Sequence, residues 1–148
     1  MYIGIDVGGM SIKAGLVTED GKLVVKQSVP TPLDTTENFC KAVVEAVDKM
    51  LALYGKEADI KAIGVGAPGT VDRKRGALIH CCNIPYDNAC VGDILGEKFG
   101  VPVYVENDAN CAAVGEFYAS ENAKNFVFVT LGTGVGGGII IDGKLFIG

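Results

Sequence analysis

Tyr2-Ile3-Gly4-Ile5-Asp6-Val7-Gly8-Gly9-Met10-Ser11-Ile12-Lys13-Ala14-Gly15-Leu16-Val17-Thr18, followed by Asp20-Gly21-Lys22-Leu23-Val24-Val25, decides the fold, because the same pattern recurs near the other end of the chain. It reads as a strand at 2–6, a glycine loop at 7–11, a second strand from Ile12 to Thr18, a turn and a third strand. The second copy runs Phe126-Val127-Phe128-Val129-Thr130, loop Leu131-Gly132-Thr133-Gly134-Val135-Gly136-Gly137, strand Gly138 to Ile141, then Asp142-Gly143-Lys144-Leu145-Phe146-Ile147. Two phosphate-sized loops on duplicated β-meanders predict two lobes gripping one nucleotide.

Glycine reaches positive φ and carries no Cβ, so successive backbone N–H groups in such a loop can converge on phosphate oxygens. One glycine loop between strands is more simply a hairpin turn. The repetition separates this chain from that reading, as do the polar residues near the loops: Asp6 and Lys13 in the first copy, Thr130 and Thr133 in the second.

The chain has 148 residues, enough for one ordinary core of an α/β lobe. Mean hydropathy is positive, yet no apolar run approaches the length of a membrane span. A strand beginning at residue 2 leaves no room for a signal peptide or an appended DNA-binding module, so a cytoplasmic protein with no membrane partner is expected. A net charge of −5 disfavours nucleic acid as a partner. The five cysteines, Cys40, Cys81, Cys82, Cys90 and Cys111, are odd in number and lack a framework spacing, which reads as reduced thiols. His80-Cys81-Cys82 with Cys90 is a poor zinc site, since adjacent residues on a strand point to opposite faces.

Between the meanders, Pro30-Thr31-Pro32 breaks the strand pattern and Thr35 or Thr36 is placed to cap a helix. Phe39, Ala42, Val43, Ala46, Val47, Met50 and Leu51 recur at three and four, which predicts an amphipathic helix from Thr36 to Tyr54, ended near Gly55. Ile60 to Gly66 follows as a central parallel strand apolar on both faces, running into Ala67-Pro68-Gly69-Thr70-Val71-Asp72. Asn88 is placed to cap a short helix carrying Val91, Ile94, Leu95 and Phe99. Val101 to Val105 is a further strand, with Glu106-Asn107-Asp108 at its end. A helix rich in small residues comes next: Ala109, Cys111, Ala112, Ala113 and Gly115.

This order predicts an α/β, ribonuclease H-like lobe with a central mixed β-sheet over residues 1–122. The first β-meander of a second such lobe follows over 123–148, with a joint around Ser120 to Lys124. No helices follow to cover that meander, and three strands alone are marginal in water. The chain is therefore expected to be part of a longer protein, with the terminal meander exposed, poorly ordered or paired with another chain.

Phosphoryl transfer asks for an acceptor oxygen in line, a base near it, and N–H groups or positive charge at the phosphates. Asp108, at the C-terminal end of a strand, is well placed as that base. Asp directly before a helix is also a favoured N-cap, and the Asn-Asp pair could serve both functions. Asp6 could be a turn residue, and Asp72 with Arg73 and Lys74 reads most simply as a solvated turn.

Asp6-Val7-Gly8-Gly9, Lys13, Gly66-Ala67-Pro68-Gly69, Glu106-Asn107-Asp108-Ala109-Asn110 and Leu131-Gly132-Thr133-Gly134-Val135-Gly136-Gly137-Gly138, in this order, resemble the ROK family of bacterial sugar kinases, open-reading-frame proteins and repressors. Within it the chain looks most similar to the glucokinases. The resemblance implies an actin-like fold of the ATPase and hexokinase superfamily, two ribonuclease H-like lobes with ATP and sugar meeting between them. It implies that Asp6, Gly8, Gly9, Ser11 and Lys13 form the first phosphate motif, with Asp6 near Mg2+, and that Gly132, Thr133, Gly134 and Gly136 form the second. It further implies that Asn107 and Asp108 bind sugar hydroxyls, with Asp108 the general base, and that Gly69 and Asn83 line the sugar site.

The implied reaction is transfer of the ATP γ-phosphate to the 6-hydroxyl of a hexose, glucose first, by a full-length homodimer. Glucose, mannose, fructose and N-acetylmannosamine kinases share these motifs. Most members carry Thr where this chain has Met10, so a hydroxyl near the phosphates is lost unless Ser11 replaces it. The family's Glu-x-Gly-His sugar motif, cysteine-rich zinc motif and adenine-binding segment would lie beyond Gly148, so the structural zinc site is absent from this chain and the chain by itself is expected to be inactive. Alternatives are a sugar-responsive transcriptional regulator of the same family, a non-catalytic sugar-binding protein, and a ribonuclease H-like nuclease using Asp6, Asp72 and Asp108 as metal ligands. Acidic charge and two phosphate loops tell against the nuclease.

Overall fold

In the computed structural model, which describes all residues except Lys56, residues 121–123, Thr133 and Gly148, the chain divides into two compact units, Met1–Glu106 and Asn107–Gly148. The first opens with the expected antiparallel meander of β1 (Tyr2–Val7), β2 (Ser11–Val17) and β3 (Leu23–Pro30). Period-two alternation turns Ile3, Ile5 and Val7 of β1 and Ile12, Ala14 and Leu16 of β2 into one buried face. α1 (Thr36–Tyr54) covers that face with Phe39, Ala42, Val43, Ala46, Val47 and Met50. Its start is fixed by Thr35, whose hydroxyl accepts the Asn38 amide at 3.1 Å, and its end by Gly55 at φ 66°. Burial of each of the larger side chains contributes roughly 1.5–3 kcal/mol.

β4 (Ala62–Ala67) pairs parallel with β1, Tyr2 opposite Ala62 and Asp6 opposite Gly66, and β8 (Val103–Asn107) completes a mixed sheet of order β3-β2-β1-β4-β8. This is the ribonuclease H-like arrangement of the sequence reading, with β4 and β8 each set slightly later than expected. Burial on both faces of β4 is not found throughout: Gly64 is exposed beside its exposed partner Gly4, because α1 covers only the opposite side of the sheet within this unit.

The stretch between β4 and β8 contains a second small sheet that sequence periodicity does not reveal: β5 (Thr70–Asp72), β6 (Ala77–His80) and β7 (Asp87–Ala89), all antiparallel. Asn88 lies in β7 at φ 48° and does not cap the next helix, α2 (Val91–Phe99). The N-cap position belongs to Cys90, which makes no side-chain capping bond, and the Gly92 amide is satisfied by the Gly76 carbonyl at 2.8 Å. That contact depends on two glycines, since a Cβ on Gly92 would stand 2.9 Å from the Gly76 Cα.

The second unit consists of α3 (Asp108–Ala119) and a meander of β9 (Phe126–Leu131), β10 (Val135–Ile141) and β11 (Lys144–Leu145). α3 packs on β10 so closely that a Cβ on Gly138 would lie 2.6 Å from the Ala113 Cβ and 3.0 Å from the Ala109 carbonyl. The small-residue helix thus packs with the second meander, and the division of the chain falls between Glu106 and Asn107. The expectation that this meander has no helical cover is corrected in the same way: Gly138 and Ile140 are buried. The other face, with Val127, Val129, Val135 and Ile139, is exposed within the unit. None of the described helices is long and apolar enough to cross a membrane.

Candidate active site

The first glycine loop is a tight connection. β1 ends at Val7 and β2 begins at Ser11, and the Gly8 amide donates to the Ser11 carbonyl at 3.0 Å. A Cβ on Gly8 would sit 3.0 Å from that same oxygen, whereas Gly9 has open space where a side chain would be. Asp6 and Lys13 are cross-strand partners at the loop's base, and Lys13 Nζ donates to Asp6 Oδ2 at 2.8 Å with both side chains more than half exposed. Such a pair contributes little to stability; it keeps a carboxylate and an ammonium side by side at the base of the glycine turn. Mg2+ on a nucleotide takes one or two protein carboxylates beside phosphate oxygens and water, and an exposed Asp6 fits that demand. Met10 is 91% exposed, so the position that departs from the family pattern faces solvent.

Thr31 anchors this loop from the end of β3. Its hydroxyl donates to the Gly8 carbonyl at 2.6 Å and its N–H to the Met10 carbonyl at 3.2 Å. At 8% exposure it is the buried polar residue of the described core.

Gly69 stands in the turn from β4 to β5 at φ 82°, where a Cβ would fall 2.1 Å from the His80 carbonyl. Only glycine fits that approach. Tyr86, 2% exposed, donates its hydroxyl to the Pro68 carbonyl and packs its ring on Phe39, centroids 5.0 Å apart. The loop bearing Gly69 is thereby tied to α1 and the core. Asn83 is exposed in the bend between β6 and β7.

Asp72 Oδ1 accepts the amides of Lys74 and Arg75, each at 3.0 Å, which commits it to the β5–β6 turn and away from a metal-ligand role. Arg73 differs from the solvated-turn expectation. Its Nε and Nη2 donate to the two carboxylate oxygens of Glu106 at 2.5 and 2.7 Å, a bidentate pair that pushes the guanidinium pKa up and fixes the residue preceding Asn107.

In the second unit, Asn107 Oδ1 accepts the amides of Ala109 at 3.0 Å and Asn110 at 3.3 Å, and so caps α3. Asp108 is the first helical residue, half-buried, with Oδ1 on the Ala109 amide at 2.8 Å. The second glycine loop turns on a Gly132 amide donating to the Gly134 carbonyl at 2.9 Å, and both glycines have open space around them. Gly136 is confined, since a Cβ there would meet Thr130 Cγ2 at 2.9 Å and the Ala109 Cβ at 3.2 Å. Thr133 lies outside the described residues.

Asp6, Gly8, Gly9, Ser11 and Lys13 are thus brought together on one turn, and Asn107 and Asp108 at one helix start. Thr31, Tyr86 and Arg73 were missed as functional supports. The only local signal for any of them is the Pro-Thr-Pro sequence around Thr31.

Comparison with known proteins matches residues 2–148 to the ROK family. The chain is 40% identical to a glucokinase of Halalkalibacterium halodurans, covering 99% of this chain and 46% of that protein. It is 39% identical to an N-acetyl-D-glucosamine kinase of Vibrio parahaemolyticus, covering 100% of this chain and 49% of that protein. Among solved structures, a ROK family glucokinase from Streptomyces griseus in complex with glucose and AMPPNP superposes with a TM-score of 0.87 at 40% identity, over 99% of this chain and 46% of that one. The chain spans about half the length of the curated relatives it matches.

Proposed function

Because the chain belongs to the ROK family, we propose that it forms part of an ATP-dependent sugar kinase that transfers the γ-phosphate of ATP to the 6-hydroxyl of a hexose, with glucose as the substrate. The observation that carries this reading is the division of labour at the start of α3. Asn107 caps the helix by accepting two amides, and Asp108, the first helical residue with Oδ1 on the Ala109 amide, is the carboxylate beside it that would take the proton. Glucose is favoured over other hexoses by the likeness to glucokinases and to a glucose complex.

In the proposed reaction Asp108 accepts the proton of the sugar 6-hydroxyl as its oxygen attacks the γ-phosphorus. The bond from that phosphorus to the β-phosphate oxygen breaks, and ADP leaves with the electron pair. Asn107, Gly69 and Asn83 orient the sugar. The first glycine loop, through the Gly9 and Ser11 amides, and the second glycine loop, with Lys13, would bind the phosphate oxygens whose charge shifts during transfer. Mg2+, held by Asp6, would neutralise phosphate charge.

The test is ADP release by the full-length protein with ATP and a panel of glucose, mannose, fructose, N-acetylglucosamine and N-acetylmannosamine. The reading expects the highest kcat/KM with glucose and no turnover by the 148-residue chain alone, because transfer requires the phosphates to be enclosed from water. Absence of turnover on every sugar by the full-length protein would overturn it.

A further inference from the structure

We propose that Thr31 is a positioning residue for the ATP phosphates, acting through the first glycine loop, an inference that rests on the phosphate role of that loop. A loop that binds an anion through backbone amides must keep its carbonyl oxygens turned away, because a carbonyl facing phosphate repels it. C=O and N–H of one trans peptide unit point in opposite directions. Holding the Gly8 carbonyl therefore aims the Gly9 N–H, and holding the Met10 carbonyl aims the Ser11 N–H.

Thr31 holds both. Its hydroxyl donates to the Gly8 oxygen at 2.6 Å and its N–H to the Met10 oxygen at 3.2 Å. Both carbonyls are drawn toward the end of β3, and the N–H groups of the same peptide units turn away from Thr31. Gly9, between them, has open space around its Cα.

The anchor is itself rigid. Pro30 fixes its own φ, and Pro32 confines Thr31 to extended backbone. The β-branched side chain has few χ1 choices. Thr31 is also buried, at 8% exposure, and valine matches its shape and volume without the hydroxyl. Valine would leave the Gly8 carbonyl without its partner and free that peptide unit to rotate.

The experiment compares Thr31→Val and Thr31→Ser in the full-length protein. It measures KM for ATP and for glucose, and amide hydrogen exchange of the segment Gly8–Ser11. Thr31→Val is expected to raise KM for ATP about tenfold, the size of one lost hydrogen bond. KM for glucose should stay within about twofold, and exchange in the loop should become faster. Thr31→Ser, which keeps the hydroxyl, should restore both ATP affinity and protection. An ATP KM for Thr31→Val within about twofold of wild type, an equal rise in both KM values, unchanged loop exchange, or failure of serine to restore would each overturn the proposal. A wild-type protein that phosphorylates no sugar would instead refute the kinase reading, and the exchange comparison would still decide whether Thr31 holds the loop.

Discussion

Asn107 caps the helix that Asp108 begins, its Oδ1 accepting the amides of Ala109 and Asn110. The capping role that the sequence offers Asp108 therefore falls chiefly on Asn107, and the base role is what we propose for Asp108. Asn107→Ala is expected to lower the stability of the α3 unit by about 1 kcal/mol, and Asn107→Ser to recover most of it. Urea denaturation followed by helix signal checks this. A variant Asn107→Ala as stable as wild type would move the cap elsewhere.

Gly69→Ala should be strongly destabilising. The backbone sits at φ 82° and the new methyl would lie 2.1 Å from the His80 carbonyl, so strain and a steric clash act together. Large losses of this kind run to roughly 2–4 kcal/mol. Thermal melting measures it, and a loss below about 0.5 kcal/mol would contradict the described turn.

Gly138→Val tests the seat of α3. Its side chain would collide with Ala113, whose Cβ is 2.6 Å from the position of any Cβ at 138. The expected outcome is faster amide exchange in β9 and β10, since a bare meander is marginal. Unchanged protection would mean that α3 does not pack there.

The cysteines should separate by reactivity. Burial pushes the Cys40 thiol above the ordinary 9.0, with Cys90 adding to the effect, and Cys81 is buried, whereas Cys82 and Cys111 are exposed. A raised thiol pKa lowers the thiolate fraction at pH 7.5, and the thiolate is the nucleophile. Iodoacetamide should therefore label Cys82 and Cys111 first, with Cys40 gaining as pH rises toward its own pKa. Labelling of Cys40 at the rate of Cys82 at pH 7.5 would contradict this.

What the sequence made legible is what is local. Alternation along Ile3-Gly4-Ile5-Asp6-Val7 and the spacing of Phe39, Val43, Val47 and Met50 fix both a strand and a helix from short windows. Thr35 and Gly55 mark the helix ends for the same reason. Three supports were not legible because their partners lie far along the chain: Thr31 to Gly8 spans 23 residues, Tyr86 to Pro68 spans 18 and Arg73 to Glu106 spans 33. Asn88 misleads because Asn serves equally as a cap and as a left-handed residue, and one amide of the helix start, that of Gly92, is taken instead by the Gly76 carbonyl. The seat of α3 depends on which glycines face Ala109 and Ala113, and small residues carry no address of their own.

The most direct measurement is kcat of Asp108→Asn in the full-length protein, with ATP and glucose saturating. Asparagine keeps the shape and can still accept the Ala109 amide, but it takes no proton. The account predicts a fall of about 10² to 10⁴ in kcat with unchanged melting behaviour. Turnover within a few-fold of wild type would contradict it and leave Asp108 without a role in proton transfer.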